Sequence, residues 1–258
     1  MAENLTLTRI THSCHLIELG GLRILTDPWF SERPLYHPGE AIALRPESLP
    51  RLDAVLITHH HYDHCDLASL AAYPDHRVPL LVAEPVAARA RAAGFGDVRV
   101  MKPWETVPVK DLVITAAPAK HGVPEITFVI SGGGRTIYFA GDTMLIPELL
   151  SLPERFAALD LALLPTNGLR IRPQFNRQVV MNSTEAAELA ATLRARLTVP
   201  HHYAFTGGWF GDRLLTKGDR DPQHFVEAVR AVAPALPVKV LVPGEHVTLD
   251  LDLAGSPV

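Results

Sequence analysis

Residues 57–66 read ITHHHYDHCD and hold four cation-binding side chains at a spacing that lets them act together: His59, His61, Asp63 and His64. They follow directly on the apolar run Ala54–Thr58, which has the aliphatic, β-branched character of a buried strand. In an extended or turning segment, residues two apart project to one side. His59 and His61 can therefore meet one cation while Asp63 and His64 reach a neighbouring one, with His60 and Tyr62 pointing elsewhere. The plain alternative is a solvated histidine run, or core histidines satisfied by hydrogen bonds. A buried strand delivering so dense a set of nitrogen and oxygen donors favours metal binding. Histidine is over-used in the chain as a whole, at 13 residues against 5 Tyr and 3 Trp.

Such a cluster needs a rigid frame, and short apolar runs bounded by Gly, Pro or Asp supply it. Besides Ala54–Thr58, strands are expected at Leu22–Thr26, Leu80–Ala83, Val98–Met101, Leu112–Ala116, Ile126–Ile130, Thr136–Ala140, Leu159–Leu164, Leu197–Val199 and Val238–Val242. Helices are expected at Pro85–Ala93, which stops at Gly94, at Ser183–Arg196, which has a capping signature ahead of an Ala- and Leu-rich stripe, and at Pro222–Val232. The 22 Pro and 17 Gly are scattered without a linker-like run and no stretch repeats another, so residues 1–258 read as one domain. Strands with interspersed helices fit an α/β fold of two sheets packed face to face with helices outside. Three segments lack periodicity: Pro28–Pro50, Asn167–Asn182 and Ala204–Asp221. Long irregular segments in a compact domain are more often functional than idle.

With 47% hydrophobic and 20% charged residues among 258, the chain has enough apolar material for a sizeable core and is not intrinsically disordered. Lys plus Arg number 24 against 28 Asp plus Glu, a formal charge of -4 that argues against broad binding to a nucleic-acid backbone. Two Cys cannot staple a domain of this size, and the opening MAENLTLTRITHS lacks the basic and apolar regions of a secretion signal. A reducing, cytoplasmic setting is expected. No apolar run approaches the roughly 18 residues of a membrane-spanning helix. The expected partner is a small-molecule substrate, not a nucleic acid or a membrane, and self-association into a homo-oligomer is left open.

The run THHHYDH resembles the HxHxDH signature of the metallo-β-lactamase fold superfamily, and further motifs follow in that family's order. PAKHG around His121 resembles its third-ligand loop, FAGDT around Asp142 its metal-bridging aspartate, and VPHHYAF its final histidine loop. Upstream, HSCHLIELGGLRILTDPWF resembles the opening hairpin of the branch containing ascorbate-phosphate lactonases and N-acyl-phosphatidylethanolamine phospholipase D. The resemblance spans His12 to Phe205 and implies a four-layer αββα sandwich with metals at one edge between the sheets. It further implies that one metal takes His59, His61 and His121, that a second takes Asp63, His64 and one of His201 or His202, and that Asp142 bridges. Ungapped matching of Pro200-His201-His202-Tyr203 to the branch's last loop selects His202. The competing register selects His201, with Phe205 four residues later.

This set is nitrogen and carboxylate only, which suits two divalent metal ions, Zn or Mn, with Fe and Co as alternatives. Two cations about 3.5–4 Å apart share a water, lower its pKa and present hydroxide to an electrophilic carbon or phosphorus, with Asp63 orienting it. No protein nucleophile is then needed. The reading is a metal-dependent hydrolase of a small ester, lactone or phosphodiester. The alternatives are an iron redox enzyme of the same fold, di-iron or mononuclear, and a metal-binding protein without turnover. The di-iron form is disfavoured because His59 stands where di-iron relatives carry glutamate.

His12 resembles a family position near the mouth of the site, either a catalytic proton donor to the leaving group or an ordinary strand histidine. Asp27 resembles an aspartate that braces the metal loops; otherwise it caps the turn before Pro28. Cys14 and Cys65 are expected as buried filler, and His15, His37, His76, His224 and His246 as surface or packing residues. For substrate binding, the irregular segments offer Trp29, Phe30 and Tyr36, then Asn167, Arg170 and Arg172, then Trp209 with Phe210. The aromatics would line a pocket, the arginines would clamp a phosphate or carboxylate, and Trp209-Phe210 would tip a flap. The plainer alternatives are a solvated arginine pair and a buried loop anchor.

Overall fold

The computed structural model describes residues 3–156 and 158–250. In chain order the strands are β1 (Leu5–Thr11), β2 (Cys14–Leu19), β3 (Leu22–Thr26), β4 (Ala54–Ile57), β5 (Leu80–Val82), β6 (Val98–Val100), β7 (Thr106–Val109), β8 (Leu112–Pro118), β9 (Ile126–Gly132), β10 (Arg135–Phe139), β11 (Leu161–Pro165), β12 (Arg170–Ile171), β13 (Arg177–Gln178), β14 (Leu197–His201), β15 (Leu215–Thr216) and β16 (His246–Leu249). The helices are α1 (Leu67–Leu70), α2 (Glu84–Ala92), α3 (Pro147–Leu150), α4 (Leu152–Arg155), α5 (Ser183–Leu193), α6 (Gly208–Leu214) and α7 (Pro222–Val232).

Two large sheets stack, one in the order β16-β1-β2-β3-β4-β5-β6 and the other β14-β11-β10-β9-β8-β7. Their facing sides bury Leu7, Ile17, Leu56, Phe128, Phe139 and Leu163 in one cluster. Because side chains alternate along a strand, the opposite faces need their own cover. Val55 and Ile57 of β4 pack with Leu70 of α1 and Val86 of α2, while Tyr138 and Leu164 pack with Leu189 of α5 and Phe225 of α7. The layers therefore run α-β-β-α, as the motif resemblance implied. No described helix is long and apolar enough to cross a membrane.

The parallel pairs β3–β4, β4–β5, β10–β11 and β11–β14 bring the carboxyl ends of β4, β11 and β14 to the edge where loops from both sheets meet. In open α/β sheets, that is where ligand-binding loops collect. Two of the segments expected to be irregular supply a third, small sheet, β13-β12-β15, together with α6. The first, Pro28–Pro50, makes only isolated bridges, Arg33 to Tyr36 and His37 to Thr206, and one turn of 3-10 helix at Pro46–Ser48.

Three expectations need correction. Val238–Val242 is not a strand: Val238 makes one bridge to Thr198, and Pro200, two residues on along that edge of β14, has no N–H to continue the ladder. The helix expected to reach Arg196 ends at Leu193, where Arg194 turns left-handed (φ 51°) and closes the last turn onto Ala190 O. Its capping residue is Asn182, whose side chain accepts from Glu185 N–H while Glu185 reaches back to Asn182 N–H. Finally, β1, β2, β7 and β16 had no expected counterpart; β1 and β2 form the hairpin that carries His12.

Candidate metal centre

Every member of the expected ligand set sits in a loop directly beyond a strand: His59, His61, Asp63 and His64 after β4, His121 after β8, Asp142 after β10, and His202 after β14. Their donor atoms converge. His59 Nε2 lies 2.9 Å from His61 Nδ1, which lies 3.2 Å from His121 Nε2. Asp142 Oδ2 is 3.9 Å from both His59 Nε2 and His121 Nε2 and 2.9 Å from His202 Nε2, while Oδ1 is 3.2 Å from His64 Nε2. Asp63 Oδ2 is 3.5 Å from His12 Nε2, 3.8 Å from His202 Nε2 and 3.9 Å from His64 Nε2. Donors that share one cation at about 2.0–2.2 Å stand about 3–4 Å apart, so these spacings fit metal coordination. The donors fall into two groups, His59–His61–His121 and His12–Asp63–His64–His202, with Asp142 between them.

Hydrogen bonds behind the rings fix which nitrogen is free. Asp27 Oδ1 accepts from Thr58 N–H, and its Oδ2 accepts from Thr58 Oγ1 and His64 Nδ1, each at 2.7 Å. With its hydroxyl proton given to Asp27, Thr58 Oγ1 accepts from His59 Nδ1 at 2.9 Å. His121 Nδ1 donates to Val179 O at 2.7 Å. One carboxylate thus sets two ring tautomers, and in His59, His64 and His121 alike the Nε2 lone pair faces the centre. Asp27 has a bracing role, with its backbone left-handed at φ 30°.

Electrostatics points the same way. Asp27, Asp63, Glu125 and Asp142 are all buried, and among the described residues none pairs with a Lys or Arg. Uncompensated buried carboxylates are costly and call for cations. Burial holds His59 and His121 below the ordinary imidazole range and His61 down at about 4, the neutral form that ligates. Burial also disfavours a charged His64, but Asp142, Asp27 and Asp63 outweigh it and raise its pKa well above ordinary, so positive charge is favoured at that position. Burial pushes Asp27 up as well; with three groups donating to it, the carboxylate is the form this geometry accommodates. His12 is lowered to about 3, by burial first and His202 second.

Both nitrogens of His12 and of His202, His64 Nε2, Asp63 Oδ1 and Asp142 Oδ1 are buried without a hydrogen-bond partner. Each such group costs about 1–3 kcal/mol unless something coordinates it. Strained backbone occurs at the same place, since His12 (φ 47°) and His202 (φ 59°) are also left-handed. A non-glycine residue held there costs about 1–3 kcal/mol and persists only when its surroundings enforce it. For His12 the enforcement is visible: Glu40 Oε1 accepts its backbone N–H at 2.8 Å, and buried Arg9 holds Glu40 through both terminal nitrogens, 2.7 and 2.9 Å. Arg9 also stacks on Tyr203, next to His202.

His201, the competing last ligand, turns its Nδ1 to Ser13 Oγ at 2.9 Å and packs on His15 and Phe139, away from the donors. Cys14 and Cys65 are buried free thiols outside both donor groups, and burial pushes Cys65 up to about 12. Residues not anticipated from sequence are Glu40 and Glu125. Glu125 Oε1 accepts Asp142 N–H at 2.7 Å and stands 3.3 Å from His59 Nδ1. The motif glycine makes room for it, because a Cβ on Gly141 would lie 2.5 Å from Glu125 Oε1.

A cleft of about 200 Å³ opens onto His61, Asp63, His121 and Asp142, walled by Tyr36, Val123, Leu169, Ile171, Gln174, Val179, Phe205 and Leu215. Of the residues expected to bind substrate, only Tyr36 lines it. Trp29 is fully buried, edge-on to His12 and donating to Ser31 O, so it is an anchor. Ile171 faces the cleft; its alternating neighbours Arg170 and Arg172 do not, and Arg170 bonds Gln178 and Asn176 instead. Asn167 is buried in a bridge to Asn182. Trp209 and Phe210 lie on α6 off the cleft, 74% and 58% exposed, with Arg213 stacked on Trp209. Phe30 packs at the edge of the α1–α2 layer. Nor does His12 line the cleft.

Residues 22–203 match the family model described as Beta-lactamase superfamily domain. The chain is 30% identical to a UPF0173 metal-dependent hydrolase of Aeropyrum pernix over 96% of this chain and 99% of that protein. It is 31% identical to one of Nitratidesulfovibrio vulgaris over 96% and 98%. Among solved structures it resembles Igni18, a metallo hydrolase of Ignicoccus hospitalis, with a TM-score of 0.73, 26% identity, and coverage of 96% of this chain and 99% of that one. The chain belongs to the metallo-β-lactamase superfamily, among its metal-dependent hydrolases.

Proposed function

We propose that this protein is a dinuclear metallohydrolase that cleaves small, uncharged esters or lactones. The observation that carries the reading is the convergence of two donor groups, joined by Asp142, at the floor of a cleft whose described lining holds no Lys or Arg. Two divalent cations, Zn or Mn, would supply an acidified water and a Lewis acid for the substrate carbonyl. The chain's own residues do the rest. His59, His61 and His121 would hold one cation and Asp63, His64 and His202 the other, with Asp142 placed between the two groups. Asp63 Oδ1, buried without a hydrogen-bond partner, would orient the attacking water and accept its proton. Tyr36, Ile171, Leu215 and Phe205 enclose the apolar part of the substrate, and Gln174 offers a neutral polar contact.

A phosphodiester is disfavoured within this reading because nothing in the lining besides the cations would hold its charge. The substrate is taken to be a small molecule met in the cytoplasm. The test compares metal-stripped and Zn- or Mn-reconstituted protein on nitrophenyl esters, lactones and bis(nitrophenyl) phosphate. Expected is metal-dependent turnover of esters or lactones at least tenfold faster than of the phosphodiester. A preference for the phosphodiester overturns the substrate assignment, and no turnover by metal-loaded protein overturns the enzymatic one.

A further inference from the structure

We propose that His12 is a further protein ligand, joining Asp63, His64 and His202 on the second cation. The inference rests on the metal-dependent reading above and extends it, since the motif resemblance places no ligand in the β1–β2 hairpin. Three independent observations carry it. First, the imidazole is wholly buried with neither nitrogen hydrogen-bonded, although Trp29 and the rings around it would accommodate an apolar side chain at no such cost. Second, its Nε2 lies 3.5 Å from Asp63 Oδ2, and one donor atom from each of the four residues lies within 4.8 Å of all the others. Third, the left-handed backbone that aims the ring inward is held by Glu40, which bonds the His12 amide directly.

A general acid must touch the leaving group, and His12 does not line the cleft. Its position suits coordination from the protein side. With Asp142 included, the second cation would have five protein donors, more than the four of a tetrahedral site, which favours a metal that takes five or six ligands, such as Mn(II).

Cobalt(II) is the probe, because each coordinated imidazole contributes one strongly shifted ring N–H resonance to the proton spectrum. Wild-type protein loaded with two cobalt ions is expected to give six such signals, from His12, His64, His202, His59, His61 and His121. His12→Gln should give five, bind the weaker of its two cobalt ions at least tenfold less tightly, and keep its first-site affinity within twofold. Five signals in the two-cobalt wild type, or a variant with unchanged second-site affinity, overturns the His12 assignment and leaves the dinuclear reading standing. Wild type that binds no cobalt overturns both. Should the variant fail to fold, the wild-type count decides alone.

Discussion

Replacing Asp27 by Asn keeps the shape of the side chain but reverses the sense of one of its oxygens. Oδ1 can still accept from Thr58 N–H at 2.8 Å, whereas an amide NH2 in place of Oδ2 confronts Thr58 Oγ1 and His64 Nδ1, both 2.7 Å away and both donors. His64 can relieve the clash by accepting at Nδ1, which sends its proton to Nε2, the atom 3.2 Å from Asp142 Oδ1 and needed for the cation. Metal binding must then restore the original tautomer and leave a buried N–H unpaired, at about 1–3 kcal/mol, or roughly 5- to 150-fold in affinity. Loss of a comparable outer partner typically costs about 10–100-fold. The expected result is Zn affinity about 10–100-fold weaker, measured on stripped protein by competition with a chromogenic chelator. The urea midpoint of the metal-free protein should hold or rise, because one of four crowded, buried carboxylates is gone. Affinity within twofold of wild type would refute the tautomer argument, and a variant unable to fold without metal would make Asp27 a packing residue instead.

Other substitutions probe other links. His15 is fully buried, and burial, with Arg9 second, lowers it to about 3. The folded form therefore stays neutral while the unfolded chain takes up a proton below about pH 6.5, and stability falls as pH drops through that window by about 1.4 kcal/mol per unit. His15→Leu should shallow the slope of urea-derived stability against pH by that amount between pH 6 and 4; equal slopes would count against it. Arg9→Met strands Glu40 and should cost about 3–5 kcal/mol by urea denaturation, whereas a loss under 1 kcal/mol would show that the pair does not pin the His12 turn. Trp209→Ala and Arg172→Ala should leave KM for an active ester within twofold, while Ile171→Glu should raise it at least tenfold. The reverse pattern would move the substrate to α6.

The chemistry was more legible in the sequence than the surfaces around it. The candidate ligands of the β4 loop could be read because residue type and spacing are both local, and the motifs around His121, Asp142 and His202 have recognisable neighbours. Glu125 and Glu40 gave no such signal: Glu125 lies 17 residues from Asp142 and 66 from His59, Glu40 lies 28 from His12 and 31 from Arg9, and only the packed loops bring them together. Leu5 and Leu7 alternate with Thr6 and Thr8, a period of two that marks β1, but buried Arg9 in the same register hides the pattern's continuation. The three irregular segments do wall the cleft, yet composition favoured their arginines and tryptophans. Orientation in the small sheet is set by the pairing of Ile171 with Leu215, which turns the aliphatic side chains inward and the arginines out.

Anomalous diffraction from crystals of Zn- or Mn-loaded protein tests the metal centre most directly. Two peaks are expected, one among His59, His61 and His121 and the other among Asp63, His64 and His202, with Asp142 reaching both. A single peak, or peaks away from these residues in fully loaded protein, would contradict the dinuclear assignment.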